Sequence, residues 1–403
     1  MTPAERKLSG SLALVFALRM LGLFLILPVF AIEAKNYPGG NDPAMVGLIM
    51  GSYGMTQAFL QLPLGWASDR LGRKPVILMG LLVFIAGSVL CATTGSLYGL
   101  LAGRSLQGAG AVSAAITALL ADGTRDIVRT KAMALIGISI GLMFALSLVL
   151  APLLVDRLGF QGMFWLIAAL GVGAFLLISF VVPSQKQQRV QAAGEASLAV
   201  VWRQFTAPQT WRLNVGVFIL HAVQLAMWSA VPFMLVHEGL PKEEHWHVYL
   251  PAVIASMLIM GGLLFRLERK GYLRAVFLSQ IALLVVVQIA LWFISTRPSS
   301  LWEAGLILFA FFCAFNMLEA TQPSLVSRYA PSSERGTALG VYNTMQSIGL
   351  FVGGAAGGEL IKRYDKPGLF AVCAVALLVW LVVAWSMEPI ASAEKTALDE
   401  AML

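Results

Sequence analysis

The chain has 403 residues, of which 58% are hydrophobic and only 12% are charged. Soluble proteins carry about 25% charged residues, and a surface with half that share would expose large apolar patches. The composition therefore excludes a soluble globular protein, a disordered chain and a fibrous chain, and it predicts that lipid is the solvent. The formal net charge of +7 would suggest a nucleic-acid partner only if the basic residues formed one patch.

The first apolar run follows Arg6 and Lys7 and is interrupted by Arg19. It extends over about 20 residues, whereas the apolar part of a signal peptide has roughly 7–15. We therefore predict an uncleaved first membrane span.

Apolar runs recur along the whole chain, and a helix that crosses a bilayer needs roughly 20 such residues. Backbone polar groups in lipid must be satisfied within the segment, so we predict helices, and the short alternating segments of a barrel are absent. The predicted spans are 10–33, 44–68, 75–94, 97–122, 132–155, 162–183, 213–236, 247–266, 275–295, 303–327, 337–361 and 369–388. This pattern predicts an all-α membrane protein with twelve transmembrane helices in two six-helix bundles.

Basic residues concentrate in the connections that share a side with the N-terminus. The positive-inside rule then predicts that both termini are cytoplasmic, and it explains the net charge without nucleic acid. Cys91, Cys313 and Cys373 lie inside apolar runs, with no spacing typical of disulfides or zinc.

The longest connection divides the chain into two halves, and the halves share short similarities. Residues 27–30 match 231–234 at an offset of 204, and residues 129–134 match 335–340 at an offset of 206. Parallel six-span repeats with a binding site between them are typical of transporters. We predict four regions: an N-terminal bundle at 1–183, a cytoplasmic linker at 184–212, a C-terminal bundle at 213–390 and a short cytoplasmic tail at 391–403.

Three motifs carry a family resemblance. Residues 65–75, Gly-Trp-Ala-Ser-Asp-Arg-Leu-Gly-Arg-Lys-Pro, resemble the signature of the major facilitator superfamily between spans 2 and 3. Residues 104–111 of span 4 resemble a motif of its drug:proton antiporter branch, and Leu21-Gly22 with Pro28-Val29 resembles a third. The resemblance covers all twelve spans. It implies a multi-pass transporter of a bacterial inner membrane that works by alternating access.

Two departures from the family pattern affect this interpretation. The antiporter motif of span 5 ends in Gly-Pro, but Leu142 follows Gly141 here, which weakens the prediction of antiport and leaves the fold unaffected. Some similar transporters carry a small soluble domain after span 12. We expect that domain to be absent, because the sequence ends soon after the last run.

The resemblance implies that Asp69 meets span 11 and that Arg73 pairs with Asp122, so that the loop latches the cytoplasmic gate when the carrier faces outward. Charge-assisted hydrogen bonds to a single carboxylate among basic residues would support such a latch. The alternative is plain positive-inside topology. The predicted gating residues are Gly65, Asp69, Arg70, Gly72, Arg73, Lys74 and Asp122.

Charge inside a bilayer is costly, so each ionisable residue within a span is a functional hypothesis. The candidates for proton or substrate coupling are Arg19, Glu33, Arg104, His221 and Glu319. We rank Glu319 first as proton carrier because of its depth, then Glu33, then His221. The alternative for Glu319 is a permanent salt bridge with Arg19 or Arg104.

Polar side chains at helical spacing lie beside these charges and predict a central polar cavity that binds substrate. Interhelical hydrogen bonds that only hold the bundle together are the alternative. The cavity candidates are Gln57, Gln61, Gln107, Gln224, Trp228, Asn316, Asn343 and Gln346.

A second cluster follows span 7, but no spacing in it is diagnostic of metal, so we expect a solvated loop and no metal. Its members are His237, Glu238, Glu243, Glu244, His245 and His247. The sequence also lacks a phosphate-binding glycine motif and any catalytic cluster at one membrane face, so we expect neither an enzyme nor a cofactor.

The sequence thus predicts a secondary transporter, with proton-coupled efflux of small amphiphilic or drug-like molecules as the best hypothesis. Its expected partners are a small-molecule substrate, protons and the bilayer, and we expect a monomer. Two alternatives stay open: a sugar or metabolite exporter or uniporter of the same fold, and a transport-inactive membrane sensor.

Overall fold

The computed structural model describes residues 1–110, 112–182, 198–269, 272–331 and 334–387, and these contain helices but no strand. Short 3₁₀ segments lie at Ala34–Asn36 and Lys242–Glu244, and a π segment at Leu177–Val181. The α-helices are α1 (Pro3–Phe24), α2 (Leu27–Glu33), α3 (Pro43–Leu71), α4 (Arg73–Thr93), α5 (Leu97–Ala109), α6 (Ser113–Asp122), α7 (Asp126–Leu176), α8 (Leu198–Thr206), α9 (Pro208–Trp228), α10 (Val231–His237), α11 (Trp246–Arg269), α12 (Leu273–Ser295), α13 (Leu301–Tyr329) and α14 (Arg335–Trp385).

Local sequence explains where several helices begin. Thr2 and Glu5 form a capping box at the start of α1, and Asp42 accepts a hydrogen bond from the backbone N–H of Ala44 (3.0 Å) at the start of α3. These side chains satisfy amide groups that have no partner within the helix.

The helix breaks occur at matching places in the two halves. Predicted span 1 is divided into α1 and α2 just before Pro28, and predicted span 7 into α9 and α10 just before Pro232, because proline removes a backbone donor and clashes with the preceding turn. Helix α7 breaks at Gly159 (φ 69°), and α14 breaks 206 residues later at Asp365 (φ 56°). These breaks agree with the internal repeat.

Seven helical segments in the described ranges are long and apolar enough to cross a membrane, and two of them contain the breaks in α7 and α14. Large apolar side chains cover the outer surface: Tyr98, Phe180 and Trp302 are each more than three-quarters exposed. Lipid is the solvent that suits such a surface. The all-α membrane fold is confirmed, whereas the count of twelve crossings stays a prediction.

Helices α3 and α14 touch through their backbones. A Cβ on Gly354 would lie 2.5 Å from the carbonyl oxygen of Gly47 and 2.7 Å from the nitrogen of Gly51. A Cβ on Gly353 would lie 2.2 Å from the carbonyl oxygen of Ala222 in α9. Helices in lipid associate through close packing of small residues, so these glycines hold α14 between α3 and α9.

The predicted linker at 184–212 contains one helix and the beginning of the next. Residues 198–206 form α8, and α9 begins at Pro208, before the predicted start of span 7. Gln204 donates from Nε2 to Glu334 Oε2 (2.6 Å), and Arg203 pairs with the same carboxylate, so α8 is attached to the beginning of α14. The linker residues before 198 and the tail at 391–403 lie outside the described residues, and the boundaries of the two bundles stay predictions.

Candidate functional site

The imidazole of His221 in α9 contacts the carboxylate of Glu319 in α13. Its Nε2 lies 2.9 Å from Glu319 Oε1 and 2.7 Å from Nε2 of Gln346 in α14, while its Nδ1 lies 3.0 Å from the carbonyl oxygen of Val217. The His221 side chain is buried, whereas that of Glu319 is 30% exposed. Three helices therefore meet at one titratable pair that retains some access to solvent.

In this geometry one proton can link the side chains of His221 and Glu319. Because a carbonyl oxygen can only accept, Nδ1 of His221 carries a hydrogen, and because an amide nitrogen can only donate, Nε2 accepts from Gln346 Nε2. Oε1 of Glu319 lies 2.9 Å from the same Nε2 but accepts no hydrogen bond in this structure, and a proton bound between the two atoms would supply that bond. Without that proton, a nitrogen lone pair faces a carboxylate at the same distance, and the attraction between α9 and α13 is lost.

Aromatic rings connect this pair to the N-terminal half. The His221 ring lies 5.9 Å from the ring of Phe315, which lies 5.6 Å from the ring of Phe144 in α7. Phe144 also contacts Phe24 of α1 at 5.1 Å. A shift of α13 at His221 and Glu319 would therefore change the ring contacts at the interface between the halves.

The structure places Arg19 and Arg104 away from Glu319. Both are buried in the N-terminal half, where Arg19 donates to Ser113 Oγ and Tyr53 OH (2.8 Å each) and Arg104 donates to Gln107 Oε1 (2.8 Å). The alternative of a salt bridge between Glu319 and either arginine is wrong. The reason is that the carboxylate contacts a histidine of its own half.

The predicted cavity residues are mostly buried and partly engaged between helices. Gln107 donates to Ser88 Oγ (2.9 Å), and Asn316 donates to Ser256 Oγ (3.0 Å). Asn343 and Gln346 are half-buried, and the buried members are Gln57, Gln61, Gln107, Gln224, Trp228 and Asn316. These contacts fit interhelical bonding, so the cavity stays a prediction.

Glu33 lies at one end of the molecule, in an ion pair between the two halves. It pairs with Lys242, which follows α10. Nearby, Asp42 Oδ2 accepts from Nζ of Lys362 in α14 (2.9 Å), and Lys35 Nζ lies 4.0 Å from the ring centroid of Phe233. We call these three contacts the outer clasp; they lie at the end where α3 and α14 pack closely.

The signature loop lies at the opposite ends of these helices. Arg73 Nε donates to Asp122 Oδ2 (3.0 Å), and its Nη1 donates to Ser68 Oγ (2.8 Å). Lys74 Nζ donates to the carbonyl oxygens of Ser179 and Val182. The loop is therefore fixed to the ends of predicted spans 4 and 6 within its own half.

The remaining gating candidates contribute backbone geometry or lie at the surface. Gly72 joins α3 to α4 with a φ of 99°, which glycine adopts readily. A Cβ on Gly65 would come within 3.7 Å of Ala114, and Arg70 is exposed. The side chain of Asp69 lies outside the described part of the structure, so its contact with span 11 stays a prediction.

The histidine and glutamate residues that follow span 7 contact different partners and do not converge on one point. Glu238 accepts from Ser299 Oγ (2.8 Å), His247 lies 4.0 Å from Glu244, and Glu243 lies 3.8 Å from Lys242. His245 is buried, and burial lowers its pKa to about 4. Among the residues that the structure describes, no three histidine, cysteine or acidic side chains are grouped to hold a metal ion.

Sequence reasoning missed Tyr53, Ser113 and Phe144. Tyr53 lies one helical turn before Gln57, so the polar stripe of span 2 could have revealed it. The role of Phe144 could not be predicted, because the sequence pattern of an apolar run does not show whether a phenylalanine faces lipid or the other half.

Comparison with known proteins assigns the fold and the family. A family model described as Major Facilitator Superfamily matches residues 12–354 and 267–401. The chain is 39% identical over 388 residues to the inner membrane transport protein YajR of Escherichia coli strain K12. The aligned region covers 96% of this chain and 85% of that protein.

Two further similarities are weaker. The chain is 32% identical over 181 residues to the multidrug resistance protein MdtL of Shigella dysenteriae serotype 1, across 40% of this chain and 46% of that protein. A crystal structure of a D-xylose–proton symporter superposes with a TM-score of 0.77 at 13% identity, across 96% of this chain and 98% of that one. The chain belongs to the Major Facilitator Superfamily, a family of membrane transporters.

Proposed function

We propose that the protein exports small amphiphilic molecules in exchange for protons by alternating access, with His221 and Glu319 as the proton site. The observation that carries the proposal is the 2.9 Å contact between these two side chains inside the bundle. A titratable pair between helices, connected by aromatic rings to the other half, can couple proton binding to a rearrangement of the bundle.

We infer that this conformation is closed at the outer face. The outer clasp and the backbone contacts of Gly47 and Gly51 with Gly354 join the halves there. With both termini in the cytoplasm of a bacterial inner membrane, as the distribution of basic residues favours, this is the inward-facing state. Arg73, held by Asp122, would then keep the signature loop positioned for Asp69 to reach α14 in the outward-facing state.

Efflux of amphiphilic compounds is supported by the antiporter-like motif of span 4 and by the partial similarity to a multidrug resistance protein. The proposed partners are the substrate, protons and the bilayer, with the chain acting as a monomer, without nucleic acid, cofactor or catalytic activity.

One observation favours a second mode, export without proton exchange. The proline of the span 5 antiporter motif is replaced by Leu142, which is 54% exposed. A Cβ on Gly137 or Gly141 would meet nothing within 4 Å. That face of α7 therefore makes no close helix contact here, and the motif cannot be used as evidence for antiport.

A substrate panel in everted membrane vesicles tests the proposal, with uptake and proton movement recorded together. We expect one or more amphiphilic compounds to enter the vesicles and release protons from the lumen, with uptake abolished by an uncoupler. Uptake that persists without a pH gradient would instead support a uniporter. Binding of compounds without any flux would support a transport-inactive sensor.

A further inference from the structure

Two buried arginines share one tyrosine in the N-terminal half. Nη2 of Arg19 donates to the hydroxyl of Tyr53 (2.8 Å), and the guanidinium carbon of Arg104 lies 5.2 Å from the centroid of the same ring. All three side chains are 1% exposed. Two permanent positive charges are therefore held at opposite parts of a single side chain inside the bundle.

The partners of these arginines are neutral. Arg19 also donates to Ser113 Oγ, and Arg104 donates to Gln107 Oε1. Within the described part of the chain, no aspartate or glutamate bonds or pairs with either guanidinium, and the Nε–H of each is buried without a partner. Arginine stays charged in proteins, so neither group can relieve its burial by releasing a proton.

An uncompensated buried charge is costly, and two of them close together repel each other. Neutral hydroxyl and amide dipoles and the tyrosine ring offset only part of that cost. Glu319 instead contacts His221 in the other half. Among the described residues no acidic side chain balances these two charges, and a substrate that enters the transport path can do so.

We propose that Arg19 and Arg104, with Tyr53, form the recognition site for an organic anion, a carboxylate or sulfonate attached to an apolar body. This inference rests on the proposed transport function and names the charge of its substrate. The guanidinium groups would hold the anionic head, because planar forks of N–H donors match two oxygens of such a group. The apolar body would lie towards the rings of Phe24 and Phe144. Phe24 follows Arg19 on α1, and its ring contacts that of Phe144 in α7.

An anionic substrate also agrees with the direction of transport. The interior of a bacterial cell is electrically negative, so outward movement of an anion is favoured by the membrane potential. A cationic compound would meet two like charges at this site.

The test uses purified full-length protein in a non-ionic detergent and compounds that differ in charge. Benzoate, 2-naphthoate and benzenesulfonate are anions, benzamide is a neutral analogue of benzoate, and benzamidine is its cationic analogue. Binding is measured as thermal stabilisation and by calorimetry. We expect at least one anion to bind, with benzamide and benzamidine weaker by about tenfold or more, as for loss of a charge-assisted hydrogen bond.

Variants locate the site and separate this inference from the proposed function. Arg19→Gln and Arg104→Gln should each weaken anion binding by about tenfold to a hundredfold, and Arg104→Lys should retain part of it. Glu303→Gln, at the capping position of α13 and outside the proposed proton and anion sites, should bind the anion as the wild type does. The wild-type comparison of charges does not depend on whether an arginine variant folds.

The inference is overturned if no anion binds, if benzamide or benzamidine binds as tightly, or if a folded Arg19→Gln variant binds the anion unchanged. Transport of a cationic compound with proton release would overturn the anion site and leave proton-coupled export standing. Anion binding without any proton movement would overturn the proposed coupling and leave the site standing.

Discussion

Nε2 of His221 lies 2.9 Å from Oε1 of Glu319, and the two residues belong to different helices of the C-terminal half. The Nδ1 hydrogen of His221 is directed to the carbonyl of Val217, so only the Glu319 side of the ring can change its protonation without breaking a backbone contact. One proton between the two residues therefore decides whether α9 and α13 attract each other at this point.

We expect the conformational equilibrium to depend on pH in the wild type and to lose that dependence in Glu319→Gln. Glutamine resembles the protonated carboxyl in shape and hydrogen bonding but cannot release a proton. Spin labels on Asn41→Cys and Tyr364→Cys, both exposed at the outer face, would report the separation of the halves between pH 5 and 9. The native cysteines are buried and should not react.

Glu303→Gln is the matched control, because it makes the same change on the same helix at a half-buried capping position. It should behave as the wild type does. A pH response that survives in Glu319→Gln would contradict this assignment.

In the proposed inward-facing state, closure at the outer face depends on contact between glycine backbones. In Gly354→Ala the new Cβ would lie within 3 Å of backbone atoms of Gly47 and Gly51, which have no flexible end that could move away. We expect the closed state to be destabilised by roughly 1–3 kcal/mol, as for overpacking, and the labelled distance to increase. Gly137→Ala, where a Cβ would meet nothing within 4 Å, should leave the distance unchanged.

The pair of Asp42 and Lys362 should stabilise the closed outer face weakly. Exposed ion pairs contribute about 0–1 kcal/mol, so Lys362→Gln should lower the ratio of closed to open molecules by up to about fivefold, and high salt should do the same. Lys366→Gln removes the same charge nearby on α14 and serves as the control. A larger effect in the control than in Lys362→Gln would contradict a specific role for this pair.

The pH dependence of this pair follows from the pKa of Asp42. The hydrogen bond from Lys362 lowers that pKa, with a smaller contribution from the backbone N–H of Ala44. A carboxylate whose pKa is lowered in the closed state favours closure above its ordinary pKa of about 3.9, and that contribution is lost as the pH falls through the lowered value. In Glu319→Gln, the labelled distance should therefore stay constant from pH 5 to 8 and increase only in stronger acid.

His245 should make the protein less stable in mild acid. Burial lowers its pKa to about 4, below the ordinary histidine value of about 6.5, so the unfolded chain binds a proton more readily than the folded one. The stabilisation is complete above pH 6.5 and is lost as the pH falls towards 4, by up to about 3 kcal/mol. Thermal unfolding should show this decline in the wild type and a smaller one in a folded His245→Asn variant, and equal declines would contradict it.

Parts of this structure could be predicted from the sequence because they depend on local pattern. Apolar runs predicted the helices. Pro28 and Pro232 were identified only as part of the internal repeat, although proline acts within its own turn and could also have indicated the two equivalent breaks. The depth of Glu319 followed from its position in a run, but its partner did not, since a sequence does not specify which faces of two distant helices meet. That is why a salt bridge with Arg19 or Arg104 was a reasonable alternative and was wrong.

The amphipathic helix and the contacts between the halves were harder to predict from the sequence. Helix α8 is too short and too mixed to stand out as a span; it exposes Trp202 and buries Gln204. The pairing of Asp42 with Lys362 joins residues from opposite halves of the chain, and only the packing of α3 against α14 brings them together.

The most direct test of the account is proton movement during substrate flux in proteoliposomes that contain a pH-sensitive dye. For the wild type, a substrate gradient should drive a change in lumenal pH that an uncoupler removes. In Glu319→Gln and His221→Gln the substrate should still equilibrate, with no accompanying change in pH. Substrate flux without proton movement in the wild type, or wild-type proton movement in Glu319→Gln, would contradict the account.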